Sequence, residues 1–124
     1  MPKLSKDAAA QDFGPVEVRQ EEADGYTMNF VTFRQNLDHT PLLKGLPNDE
    51  CQCPHWGYVL EGRMTFKYGD REETYEAGDA FFAPAGHIPV QNEPGTTYLQ
   101  FSPSDELQKT SDAIMQNMQN MQQA

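Results

Sequence analysis

Both cysteines of the chain and two of its three histidines fall in two short stretches, ECQCPHWGYVLEG (50–62) and APAGHIPVQN (83–92). Cys51, Cys53, His55 and His87 together offer two thiolates and two imidazoles, a donor set suited to tetrahedral Zn²⁺. Fe²⁺ and Cu are alternatives, because ligand softness alone does not select the ion. Four protein ligands would make such a site structural; three and a water would leave the metal open for chemistry. Side chains two apart on a strand share a face, so Cys51, Cys53 and His55 can look inward together if the strand is regular. Pro54 interrupts that alternation, and a bend there can turn one cysteine outward. Two other readings stay open. Free cysteines also behave as small buried hydrophobes, which would leave a metal-free pocket. A thiol-reactive pair would need an exposed, low-pKa thiolate, and no Lys or Arg lies near either cysteine in sequence. A Cys51–Cys53 disulfide is disfavoured, since i and i+2 on a strand lie about 6–7 Å apart.

The elements that would have to position these residues are short strands. Nine glycines and nine prolines in 124 residues mark many turns. A strand is expected from Val16 to Val18, then a turn at Asp24-Gly25 into YTMNFVTF (26–33). Residues 35–50 carry Pro41, Gly45 and Pro47 and read as a long loop with an apolar anchor, Leu42 and Leu43. Further turns at Glu61-Gly62, Gly69-Asp70, Gly78-Asp79 and Glu93-Pro94-Gly95 separate apolar runs ending in TTYLQFS (96–102). Turns every 8–12 residues are the pattern of an antiparallel sandwich or barrel. Beyond it, Ser102 is expected to cap a helix, with Pro103 at its first position and Asp105 completing a weak capping box. Leu107, Ile114, Met118 and Met121 follow at helical spacing with Met115 beside them, a stripe that would pack on the barrel or on a second subunit.

The sequence is similar to the cupins, the small jelly-roll barrel family. The family's second motif, G-x5-P-x-G-x2-H-x3-N, is matched by Gly78, Pro84, Gly86 and Asn92, with Pro89 standing in the histidine slot. In the first motif, H-x-H-x3–4-E-x6-G, Gly62 places His55 in the glutamate slot. The two histidine slots fall on Asp49 and Cys51, or on Asn48 and Glu50 with the longer spacer. The resemblance covers about residues 26–102 and implies an all-β jelly roll whose three-histidine, one-glutamate set is missing. Cys51 and Cys53 lie two residues beyond Asp49 and Cys51, while His87 lies two before Pro89. On antiparallel neighbouring strands these are one physical direction, about one pleat repeat of 6.5 Å. The pattern reads as a displaced site, and Cys51, coinciding with a family slot, ranks above Cys53 as a ligand.

These observations define the expectations. The fold is an all-β cupin-like jelly roll (15–103), preceded by a flexible segment (1–14) and followed by a C-terminal helix (104–124). The metal set is Cys51, Cys53, His55 and His87, with zinc first; no catalytic residue is assigned. The function is that of a divergent metal-binding protein acting on a small organic ligand in the barrel, or of a metal-free binding or sensing module. With His55 inward, Gly57 and Val59 follow it, while Trp56 and Tyr58 face packing or a subunit interface. Inward aromatics are expected from Phe81 or Phe82 and from Tyr98 or Phe101. Asp49, Glu50 and Gln91 are the nearest other polar side chains, and His39 is expected at the surface. A homodimer is expected, since small cupins pair. A net charge of −10 argues against nucleic acid and anionic membranes as partners. The acidic run Glu72, Glu73 and Glu76 reads as a solvated strand face. Absence of a signal-like apolar N-terminus, with only two cysteines, fits a reducing cytoplasm.

Overall fold

The computed structural model describes residues 3–122, the side chain of Gln122 excepted. Among these, nine strands precede one helix: β1 (Gln11–Asp12), β2 (Val16–Ala23), β3 (Tyr26–Phe33), β4 (His55–Glu61), β5 (Arg63–Tyr68), β6 (Arg71–Glu76), β7 (Ala80–Ala83), β8 (Ile88–Asn92), β9 (Thr97–Pro103) and α1 (Ser104–Gln122). They form two antiparallel sheets, one ordered β1-β2-β3-β9-β4-β7 and a smaller one ordered β6-β5-β8. This is a jelly-roll β fold with a C-terminal helix.

Turn chemistry sets the register. Asp24 and Gly25 both have positive φ (54° and 80°), the requirement of the tight turn that joins β2 to β3. The resulting ladder pairs Tyr26 with Ala23 and Phe33 with Val16. In β3, Thr27, Asn29, Val31 and Phe33 are buried while the intervening residues are not. In β9 the same period buries Tyr98, Gln100 and Ser102. The core between the sheets holds Val31, Phe33, Val59, Met64, Phe66, Phe81, Ala83 and Tyr98. Of the aromatic pairs left open by sequence, Phe81 and Tyr98 turn inward, and Phe82 and Phe101 turn outward.

Two local features differ from expectation, although the helix does begin at residue 104. Gln11 and Asp12, within the segment expected to be flexible, pair with Val18 and Glu17, and Arg34 Nη1 reaches Asp12 Oδ1 at 2.6 Å. Ser102 and Pro103 belong to β9, because β3 pairs with that strand as far as Tyr26 and Pro103. The helix therefore starts at Ser104, whose hydroxyl is 2.7 Å from that of Thr27. Leu42 and Leu43 sit in a short 3-10 turn, Thr40–Leu43, and are buried as an anchor should be. Asn117 Nδ2 donates to the Leu42 carbonyl at 2.7 Å, tying α1 down over that turn.

Gly57 shows how tightly β4 is packed. A Cβ there would lie 2.5 Å from both the Leu99 carbonyl oxygen and Phe81 Cζ. Gly57→Ala should therefore cost about 1–3 kcal/mol through overpacking, measured by urea unfolding; an unchanged midpoint would contradict this tight packing.

Candidate metal centre

Cys51 and His87 are backbone partners. They form an isolated antiparallel bridge, in which Cys51 N–H donates to His87 O at 2.9 Å and His87 N–H to Cys51 O at 3.3 Å, with Gly86 N–H reaching the same carbonyl at 2.8 Å. The bridge keeps the register of the β4–β7 ladder: His55 pairs with Ala83, and Cys51, four residues before one, meets His87, four residues after the other. Gly86 at φ 90° supplies the left-handed residue that lets the chain leave β7 and return to this bridge. His55 follows as the first residue of β4.

The result is a compact donor cluster. One ligand atom each from Cys51, His55 and His87 lies within 4.8 Å of the others. Cys51 Sγ is 3.8 Å from His55 Nε2, and the two imidazole centroids are 5.0 Å apart. All three side chains are buried. His87 Nδ1 is 2.7 Å from the Pro84 carbonyl, which can only accept, so that nitrogen carries the proton and Nε2 keeps its lone pair. His55 Nδ1 is engaged at 2.7 Å by the Ser102 hydroxyl, turning Nε2 toward Cys51. Hydrogen-bonding the far ring nitrogen is how ligating histidines are oriented. The ring of His87 is held by stacking on Phe66, 5.3 Å away and 12° from parallel.

The electrostatics are those of a dry site. Burial drives the His55 imidazole down to about 3 and lowers that of His87, so both are neutral, as ligands must be. Burial pushes the Cys51 thiol up, against a hydrogen bond with Thr110 Oγ1 at 3.4 Å. The cluster fits a divalent ion: Zn–S and Zn–N bonds in a tetrahedron place S and N about 3.6 Å apart, close to the observed separation.

Cys53 is not part of this cluster. Residues 52–54 leave the ladder at Pro54, and Cys53 Sγ lies on the Nδ1 side of His55, 3.9 Å away. It packs with Leu43 and Cys51 in a small apolar cluster, and burial pushes its thiol up to about 12. Both cysteines are free and buried, the opposite of what a thiol-reactive pair needs. Asp49 is spent on the Gly45 N–H, and Asp49, Glu50 and Gln91 are all absent from the walls of the cavity beside the cluster.

That cavity, about 300 Å³, lies between the sheets with α1 along one side and includes Cys51, His55 and His87 in its wall. His39, expected at the surface, also lines it. The His39 backbone N–H donates to the Pro89 carbonyl at 2.8 Å, and its ring meets Phe33 edge-on at 5.7 Å. Burial lowers its imidazole to about 4. The loop carrying it has no period that could have announced this. Sequence reasoning also missed Ser102, Thr110, Asn29 and Gln100. The inward alternation of β3 and β9 marks Asn29, Gln100 and Ser102.

The comparisons with known proteins agree with the jelly-roll fold. The cupin domain family matches residues 50–89, the segment that contains all three donors. Solved structures of similar fold include an RmlC-like cupin from Shewanella frigidimarina NCIMB 400 (18% identity, 82% of this chain and 88% of that one, TM-score 0.57). KdgF from Halomonas sp. is also similar (20% identity, 78% and 87%, TM-score 0.54). So is the polyketide cyclase RemF from Streptomyces resistomycificus (24% identity, 82% and 72%, TM-score 0.52). At these identities the likeness concerns the fold. No curated protein matches the chain. The chain thus carries a match to the cupin domain over residues 50–89, within a fold similar to that of these structures.

Two buried histidines, His55 and His87, and the partly buried His39 give the metal-free protein a definite pH response. The unfolded chain takes up protons below 6.5, while the native imidazoles resist down to about 4 for His39 and 3 for His55. Stability is therefore full above about pH 6.5 and falls as pH drops, by up to about 1.4 kcal/mol per unit for each of His39 and His55. Urea unfolding of the metal-free chain at about pH 7, 6 and 5 should show this slope, reduced by one proton's worth in His39→Phe; an identical slope in that variant would contradict His39 burial.

Proposed function

We propose that this cupin-domain protein holds a divalent ion, zinc first and iron or copper second, through Cys51 Sγ, His55 Nε2 and His87 Nε2. The ion would be presented to a small organic ligand in the barrel. The observation that carries this reading is the convergence of three donors, of which the two histidines have their far ring nitrogens already committed to Ser102 and Pro84. Three ligands would leave one position open, and an ion so held acts as a Lewis acid or activates water. No Asp or Glu lines the cavity, so proton transfer there would fall to histidine or to bound water. Uptake of the ion must displace the Cys51 proton, so affinity should rise with pH.

The second reading, a metal-free binding or sensing module without catalysis, is favoured by one contact: Cys51 Sγ already has Thr110 as a hydrogen-bond partner. Metal content of protein purified without added metal or an affinity tag separates the two. Near one ion per chain, lost in Cys51→Ser and His87→Ala, supports the first reading. A metal-free protein whose stability is unmoved by a chelator supports the second.

We further propose that the chain pairs with a second copy through the outer face of the larger sheet. Trp56, Tyr58, Phe82 and Phe101 are each 40–49% exposed there; Trp56 pairs with Phe82 and with Phe101 across the strands. The patch carries no charge, which matters in a chain of net charge −10, because two charged faces of one sign would repel. Contiguous exposed apolar area of this kind marks an interface. Light scattering should give a dimer that Trp56→Ser with Phe101→Ser converts to monomer; a monomeric parent chain would refute it. No helix among the described residues is long and apolar enough to cross a membrane. Two free buried thiols suit the reducing cytoplasm in which we place the protein.

A further inference from the structure

Each of the three donors has a polar group behind it, and for Cys51 that group comes from the helix. Ser102 backs His55 and the Pro84 carbonyl backs His87; the Thr110 hydroxyl lies 3.4 Å from Cys51 Sγ. Thr110 is itself buried. It stands three residues after Leu107 and four before Ile114, on the helix face that packs beside both cysteines. The helical period calls for an apolar residue at that position, and burying a hydroxyl there is unfavourable unless it finds a partner. Valine would fill a similar volume with similar helix propensity. A threonine hydroxyl in a helix commonly turns back to the carbonyl four residues earlier; this one reaches across to sulfur.

The other groups around Cys51 Sγ cannot take the same part. The Cys53 carbonyl, 3.8 Å away, only accepts, and His55 Nε2, also at 3.8 Å, is the nitrogen that the metal reading gives to the ion. A thiol can donate to Thr110 or accept from it, so the contact satisfies the metal-free protein as well. A metal-bound cysteine sulfur is a thiolate and only accepts. Of the three partners, Thr110 is then the one able to donate. Hydrogen bonds to a charged acceptor are roughly twice as strong as neutral ones, so the contact favours the ion-bound state.

We propose that Thr110 is a positioning residue for the metal centre: its hydroxyl donates to the ion-bound Cys51 thiolate, stabilising the bound ion and fixing the direction of the sulfur. The ion is thereby fastened to α1, which also lines the cavity with Leu107, Ile114 and Met118. The proposal rests on the reading of Cys51, His55 and His87 as metal ligands. It adds to them a residue 59 positions from Cys51 that no motif spacing supplies.

The test loads Co²⁺ into the parent chain and into Thr110→Val, Thr110→Ser and Thr110→Ala. A hydrogen bond stabilises the sulfur lone pair from which the thiolate-to-cobalt charge-transfer transition starts, so its loss lowers the transition energy. Thr110→Val should keep the band, move it to longer wavelength and weaken Co²⁺ binding, measured against a competing chelator, by about tenfold or more. Thr110→Ser keeps the hydroxyl and loses a methyl group, and should match the parent band. Thr110→Ala loses both and should move the band as Thr110→Val does. A residue that only packed would follow the methyl group and the thermal midpoint instead of the hydroxyl. Parent band position and affinity in Thr110→Val and Thr110→Ala would overturn the proposal, as would a Thr110→Ser band shifted like theirs. A parent chain with no charge-transfer band removes the metal reading and this proposal with it; a parent band indifferent to the Thr110 hydroxyl removes this proposal alone.

Discussion

The short backbone bridge between Cys51 and His87 is the constraint on which the site depends. It joins two stretches 36 residues apart in sequence by Cys51 N–H on His87 O and Gly86 N–H on Cys51 O. Because it repeats the register of β4 with β7, the position of either donor follows from that of the ladder. His55, the first residue of the same ladder, is then brought to the same point. Without the bridge, Cys51 and His87 would be loop residues free to sample many geometries, and ordering them would cost conformational entropy on every binding event. With it, the donors are placed before any ion arrives.

The helix completes the arrangement. Thr110 reaches Cys51 Sγ, Leu107 and Ile114 pack beside both cysteines, and Asn117 holds the Leu42 and Lys44 carbonyls. α1 is therefore part of the wall that keeps the cluster dry. Dryness explains both the neutral imidazoles and the raised thiol, and it makes any charge that enters the cavity expensive unless it is paired.

Strand periodicity made much of this legible in the sequence. The Asp24-Gly25 turn, the alternation in β3 and β9, and the inward His55 against outward Trp56 and Tyr58 follow from residue types with fixed backbone demands. The distance from His55 to Gly62 and the Gly78-to-Asn92 spacing pointed to the strands that carry the donors. Three placements depended on tertiary contacts that no local pattern encodes. Cys53 is buried like Cys51 and His55 but lies on the Nδ1 side of the His55 ring, away from the three donor atoms. Ser102, in a Ser-Pro-x-Asp context that resembles a helix start, stayed in β9 because β3 offers it a ladder, and its hydroxyl serves His55 instead. His39 was drawn into the cavity wall by its backbone bond to Pro89 and the edge of Phe33, partners about 50 residues downstream and six upstream.

The most direct measurement is the absorption spectrum of the protein loaded with Co²⁺, which reports both geometry and sulfur ligation. The account predicts intense tetrahedral d–d bands and one thiolate-to-cobalt charge-transfer band. Cys51→Ser should abolish the charge-transfer band, His55→Ala and His87→Ala should weaken the d–d bands, and Cys53→Ser should change neither. A charge-transfer band that survives Cys51→Ser, disappears in Cys53→Ser, or never forms would contradict a centre built on Cys51, His55 and His87.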